Sequence, residues 1–271
     1  MKVLNNIIKV CVFVVALVGS YCSWATEGVA EANAEWQQGL DAYSGKEYGE
    51  AKSSFEKVAE MGYASADLYY NLGNAYFKLG QQHDHPFAEG ELGRAILNYR
   101  RALKLDPTME DARYNLDIAQ DYTNDAEPLP LSVMGSMWSG LQGLMSSNGW
   151  TITSIVILVV ALGLVMLYLL SSAVVLRKVA FFVAITLIFA FVITTILAIA
   201  QRSASSDSSE AVILCNDSIS VHASPDNSSK VIRQPSQGVS VYILRTHGDW
   251  TEIEFVDGEK GWLPSKSVER V

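Results

Sequence analysis

The chain has 271 residues, a formal net charge of −9 and a hydrophobic content of 49%. The apolar residues are concentrated at the N-terminus and in a central stretch, so the remainder is too short and too polar for one large core and reads as two small domains. Between Thr26 and Trp150 stand 19 acidic against 9 basic residues, and from Gln201 to Val271 10 against 7, an acidity that disfavours nucleic acid and anionic lipid as partners of these parts.

Residues 1–25 read as a secretory signal. Lys2 and Lys9 make a basic start, Val10–Val18 is a short apolar run, and Ser23-Trp24-Ala25 fits a small-x-small cleavage site. Cleavage after Ala25 is the favoured outcome; an uncleaved anchor and lipidation of Cys22 are the alternatives, the bulk of Tyr21 weighing against the last. With Cys11 and Cys22 in the signal, Cys215 stands alone and no intramolecular disulfide is expected in the mature chain. Its apolar stretch, Ala211–Cys215, makes it a small buried hydrophobe by expectation.

Internal spacing organises residues 34–122. Gly39 and Gly73 are 34 residues apart, Ala51 and Phe55 recur as Ala95 and Tyr99 at 44, and Asn71-Leu72 recurs as Asn115-Leu116 at 44. One insertion over 81–90 explains every shift. Small residues such as Gly73, Ala95 and Ala102 let two helices approach, Tyr99 fills the gap beside them, and Pro107 marks a turn. This pattern resembles the tetratricopeptide repeat family: a first unit with Gly39, Tyr43, Tyr48, Ala51 and Phe55, a second with Leu72, Gly73, Tyr76, Gly93, Ala95, Tyr99, Ala102, Leu103 and Pro107, and a third helix from Asp111 with Tyr114, Asn115 and Leu116. The resemblance implies a concave peptide-binding face. Its candidates are Tyr70, Asn71 and Asn74 from the second unit and Arg113, Tyr114 and Asn115 from the third, since amides both donate to and accept from a peptide backbone. A solvated helix face is the alternative for any one of them.

His83-Asp84-His85 in the insertion lacks visible further ligands, so a solvated loop is expected there and no metal or other cofactor. Residues 125–130 break the pattern with two prolines. Residues 131–149 carry Met134, Met137, Trp138, Leu141, Leu144 and Met145 at three- and four-residue spacing, which predicts an amphipathic juxtamembrane helix, or else a linker helix packed on the repeats.

Two apolar runs follow, Ile152–Leu170 and Val179–Ala200, each close to the roughly 20 residues needed to span a hydrocarbon core. Residues 171–178 form the predicted turn, with Arg177 and Lys178 its only charges, and short basic loops stay cytoplasmic. Together with the signal, this predicts a bacterial inner-membrane protein of two spans with both flanking domains in the periplasm. Residues 201–209 are Ser-rich and read as a flexible tether.

From residue 210 onward the period is strand-like: Val212–Cys215, Ile219–His222, Val239–Leu244 and Trp250–Phe255, with Asp257-Gly258 as a hairpin signal. Residues 210–271 resemble a bacterial SH3-like (SH3b) domain through Ser220–Pro225, Gly238–Val241, Gly248-Asp249-Trp250 and Asp257–Leu263. His222 stands where that family usually has Arg. The resemblance implies binding to cell-wall peptides or proteins, or a spacer role. Trp250 and Trp262 are the groove candidates, with at least one expected in the core.

No nucleophile–histidine signature or phosphate-cradling glycine loop is present, so no enzyme is expected. The fold class expected is a multidomain membrane protein: an all-α tetratricopeptide solenoid, a two-helix transmembrane hairpin and a small all-β SH3-like barrel. The order of these modules resembles the BatE-type proteins of the bacterial aerotolerance (Bat) group. That resemblance implies partners among integral membrane proteins with von Willebrand A domains and other Bat-type proteins, and a part in envelope stress tolerance. The expected function is a membrane-anchored adaptor whose SH3b domain samples its surroundings on the tether; the alternative is a wall sensor that binds peptidoglycan through SH3b.

Overall fold

A computed structural model describes residues 28–83, 87–123, 140, 144–206, 209–216 and 218–271. The signal at 1–25, Asp84 and His85, and most of the juxtamembrane helix expected over 131–149 lie outside these residues. Contacts divide the chain into two units, Met1–Ala64 and Ser65–Val271.

In the first unit, α1 (28–44) and α2 (Tyr48–Glu60) form a hairpin. Phe55 is fully buried and lies against Trp36, with ring centroids 5.3 Å apart. A Cβ on Gly39 would sit 2.5 Å from the Phe55 ring, so this glycine is what lets the helices close on the aromatic. Lys57 bonds Glu35 across the hairpin at 3.1 Å.

The second unit opens with α3 (Ala66–Gln82), α4 (Glu91–Leu105) and α5 (Glu110–Asp121). Ser65 caps α3 by accepting the Leu68 amide proton, and Asp67 places a negative charge in its first turn. Gly73 and Tyr99 are matched: a Cβ at residue 73 would meet the Tyr99 ring at 2.7 Å. Ala95, Ala102 and Ala112 are fully buried along the same seam. Asp106 ends α4, and its carboxylate accepts from the Thr108 amide at 3.0 Å, turning the chain into α5.

The 81–90 insertion is not simply a solvated loop. Helix α3 runs to Gln82, and the Phe87 amide returns to the Gly80 carbonyl at 3.0 Å. This folds the Phe87 ring, 5% exposed, between Phe77 and Tyr122. The peptide contributes core as well as surface.

Two apolar helices follow, α6 (Ser147–Leu170) and α7 (Val174–Ser206). Both are long and apolar enough to cross a membrane, and only 11% of the most apolar window of each is buried. They pack through small residues, Ala161, Ala180 and Ala184, which let the backbones approach. Ser154 and Thr195 bond across the pair at 2.8 Å.

Three boundaries differ from the periodicity. Helix α6 starts at Ser147, capped by Ser146, so the end of the expected juxtamembrane helix belongs to it. The turn is short, 171–173, and Arg177 and Lys178 lie inside α7. Residues 201–206 of the expected tether are helical, because nothing apolar is needed to propagate a helix already nucleated. At 33 residues, α7 is about 50 Å long, more than a hydrocarbon core requires.

The C-terminal part is one antiparallel sheet in the order β3-β2-β6-β5-β4-β1-β7, from β1 (Glu210–Ile213), β2 (Val221–His222), β3 (Val231–Arg233), β4 (Ser240–His247), β5 (Trp250–Glu254), β6 (Lys260–Pro264) and β7 (Val268–Arg270). Its core is Ala211, Ile213, Val221, Val241, Ile253, Phe255 and Leu263, with Cys215 half-buried at its border. The β5–β6 hairpin pairs Glu254 with Lys260 across a turn that needs Gly258, at φ +87°.

Candidate partner-binding site

The six candidates on the repeat helices divide by burial. Asn74 is 8% exposed, and its carboxamide oxygen accepts from the Tyr99 hydroxyl and from the Asn115 amide, both at 2.8 Å. The Asn115 amide also reaches the Tyr70 hydroxyl at 3.5 Å. Tyr70, Asn74 and Asn115 therefore form one network that ties α3, α4 and α5 together. Asn71 is half-buried, and its amide donates to the Asp67 carbonyl one turn back at 2.8 Å. Asn74 thus spends its oxygen inside the fold, because an unpaired buried carboxamide is costly. Arg113 and Tyr114 face outward. Arg113 holds the Pro107 carbonyl at 2.6 Å, and Tyr114 is 67% exposed.

In the sheet the two tryptophans separate likewise. Trp262 on β6 is 8% exposed, beneath the Arg245 guanidinium at 5.3 Å. Trp250 on β5 is half-buried and meets the His222 ring edge-on at 5.4 Å. His222, in the position where the SH3b pattern has Arg, is itself 7% exposed and within 3.2 Å of the Ser229 carbonyl through Nδ1. Arg245, with its side chain 69% exposed, places a cation on this face. Arg245 pairs with Glu252 at 2.5 Å.

An extensive polar arrangement among the described residues of this unit is one that sequence reasoning missed. The sheet is seated on α4. Gln237 accepts the Gly93 amide proton at 3.1 Å and donates to the Phe87 carbonyl at 2.7 Å. Gly90, Gly93 and Gly238 line the contact: a Cβ would come within 2.9 Å of the Cys215 carbonyl oxygen, 3.1 Å of that of Ile213 and 2.5 Å of Ile96 Cδ1, respectively. Along α4, Arg100 pairs with Glu210, Arg101 with Glu269 at 2.7 Å, and Lys104 with the Val271 carbonyl at 2.6 Å. Burial raises the pKa of the nearby Tyr242 phenol, the Glu210 carboxylate adding to this and Arg100 opposing it. The sheet is therefore fixed on the repeat helices, not free on a tether. The glycines and the cation row were visible in the chain, but no local spacing joins residue 93 to residue 237.

One cluster has metal-ligand chemistry. His83, Glu89 and Glu91 bring ligand atoms within 4.8 Å of one another. His83 Nε2 lies 2.9 Å from Glu91 Oε1 without hydrogen-bond geometry, and Glu91 Oε2 already accepts the Glu89 amide proton at 3.0 Å.

Two family models match the chain. The tetratricopeptide repeat model covers residues 66–84, the length of α3, and the bacterial SH3 domain model covers residues 217–269, most of the sheet. A search of curated proteins gave no match. The chain thus carries a tetratricopeptide repeat, a module of protein–protein interaction, followed by two helices able to cross a membrane and a bacterial SH3 domain.

Proposed function

We propose that this protein is a non-enzymatic, membrane-anchored adaptor of the bacterial envelope. Residues 34–122 belong to the tetratricopeptide solenoid class, α6 and α7 form a transmembrane hairpin, and the SH3 domain is a small barrel. After export by the N-terminal signal, the repeat and SH3 parts stand together in the periplasm. The observation that carries this reading is the seating of the sheet on α4 through Gln237 and the Arg100, Arg101 and Lys104 row. It makes one body of two modules from either side of the hairpin, as expected if both ends emerge on one face of the bilayer. The extra length of α7 supports the same reading, since it carries the chain out to the sheet.

The partner surface is the exposed part of α5, with Tyr114 as its aromatic anchor and Arg113 as its charge; such residues dominate protein interfaces. The module order supports a role in a Bat-type envelope stress complex alongside membrane proteins with von Willebrand A domains. In-cell crosslinking followed by purification from detergent tests this. Membrane proteins recovered with the wild type and lost with the Arg113→Ala/Tyr114→Ala double variant support the adaptor. A cysteine labelled from outside the cell at position 114 and one at the exposed position 259 test the shared orientation.

The second reading, a wall binder, is favoured by the bacterial SH3 match and by the β4–β5 face bearing Arg245 and Trp250. Wall fragments recovered without protein partners, and lost on Trp250→Ala, move the function to that face.

A further inference from the structure

At the hairpin turn, α6 and α7 form an open groove of about 530 Å³, lined by Tyr168, Val174, Arg177, Lys178, Phe181 and Phe182. Its wall is amphipathic. Tyr168, Phe181 and Phe182 supply contiguous aromatic surface, with the Tyr168 and Phe181 rings 5.7 Å apart. The Arg177 guanidinium stacks on Tyr168 at 5.0 Å, which fixes one cation at the mouth, and Lys178 adds a second.

These two charges have no counter-ion in their own part of the chain. The acidity of the flanking domains stops at Glu127 and resumes only at Asp207. Their placement also opposes the helix macrodipole. Arg177 and Lys178 are the fourth and fifth residues of α7, whose first turn holds no acidic residue, and cations at a helix N-terminus are unfavourable there. An anion at this end relieves the two cations and the exposed amide groups of the first turn together.

We propose that this open groove binds an anionic phospholipid, its headgroup phosphate between Arg177 and Lys178 and the start of one acyl chain along Val174, Phe181 and Phe182. A free phosphate satisfies the cations but leaves the aromatic wall unused, whereas an amphiphile matches both halves. The volume suits a headgroup and the first part of a chain, within the range of small-ligand sites. Basic pockets between membrane helices are the general setting for this recognition. The site rests on the reading of α6 and α7 as a transmembrane hairpin.

Native mass spectrometry of the full-length protein, delipidated in detergent, tests it with phosphatidylglycerol, phosphatidylcholine and inorganic phosphate as separate probes. The expected result is retention of phosphatidylglycerol at least tenfold above phosphatidylcholine, lost in Arg177→Gln/Lys178→Gln and reduced several-fold in Tyr168→Leu, which keeps both charges. Equal retention of the two lipids, or a preference unchanged in both variants, overturns the proposal. Displacement of bound phosphatidylglycerol by millimolar phosphate assigns the site to the free anion and overturns the lipid. Resistance of the wild type and each variant to alkaline carbonate extraction is measured in parallel. A wild type released by carbonate removes the hairpin reading and the lipid site with it, whereas a membrane-retained protein without lipid preference removes the site alone.

Discussion

Gln237 accepts the amide proton of Gly93 across 3.1 Å, although 144 residues and two apolar helices separate them in the chain. The same side chain donates to the Phe87 carbonyl, so one glutamine satisfies two buried backbone groups of another module. Gln237→Leu keeps the volume and removes these two bonds and a third to the Asn216 carbonyl; the Gly93 amide left unpaired costs about 1–3 kcal/mol, while the Phe87 carbonyl keeps the Gly90 amide proton at 3.4 Å. Faster hydrogen exchange at Gly93 and a lower melting temperature are expected. Unchanged protection at Gly93 would show that other contacts hold the sheet on α4.

Gly238 takes φ +85°, and a Cβ there would stand 2.5 Å from Ile96 Cδ1. Gly238→Ala is expected to destabilise the protein, since the left-handed conformation alone costs an L-residue about 1–2 kcal/mol. Ile96→Val removes the clashing methyl. The double variant is therefore expected to be more stable than the two single effects sum to, and denaturant unfolding of all four proteins measures that coupling.

Asn74 and Tyr114 lie on neighbouring repeat helices and are expected to fail differently. Asn74→Ala leaves the Tyr99 hydroxyl and one Asn115 donor without their 2.8 Å acceptor, at a cost of about 1–3 kcal/mol in stability. Tyr114→Ala, at a site 67% exposed, is expected to shift stability by less than about 0.5 kcal/mol while reducing partner recovery. Circular dichroism melts beside crosslinking yields separate the two effects.

The same contrast holds in the sheet. Trp262→Ala opens a cavity beneath Arg245 and is expected to cost about 3–5 kcal/mol. Trp250→Ala removes a half-buried ring and is expected to cost less, so any loss of wall or peptide binding in that variant reads as loss of contact. A Trp250→Ala protein that melts as early as Trp262→Ala would place Trp250 in the core.

The Glu259 amide lowers the Asp257 carboxyl below its ordinary value; burial opposes this, and the Arg233 guanidinium adds to the lowering. Its folded pKa lies below its unfolded one, so its contribution is present above about pH 4 and is lost as pH falls through the folded value. Asp257→Asn is expected to be less stable than wild type at neutral pH, and the gap is expected to shrink on acidification to about pH 3. Urea titrations of both proteins at the two pH values check the sign.

Much of the local architecture was legible because it rests on short-range periodicity. The 34-residue step between Gly39 and Gly73 and the recurrence of Phe55 as Tyr99 mark helices that close on an aromatic, and both glycines face that ring. Asp257-Gly258 marked its hairpin because the turn requires φ > 0 at Gly258. The candidate site was legible only by position. Counting along α3 and α5 brings Asn74, Tyr114 and Asn115 forward equally, but burial divides them: Asn74 is used by Tyr99 and Asn115, and Tyr114 is left to the solvent.

By itself the sequence determined the two apolar helices, the basic pair at their turn, the repeat seam and the strand pattern of the C-terminal part. Each depends on composition or on neighbours within a few turns. Only the tertiary structure decided that Phe87 enters the core, that α7 runs on to Ser206, and that the sheet rests on α4. Those outcomes depend on which buried amide finds which carbonyl once the chain has returned from the hairpin. A pairing such as Gln237 with Gly93 leaves no period in the sequence, because its two halves meet only through the packing of everything between them.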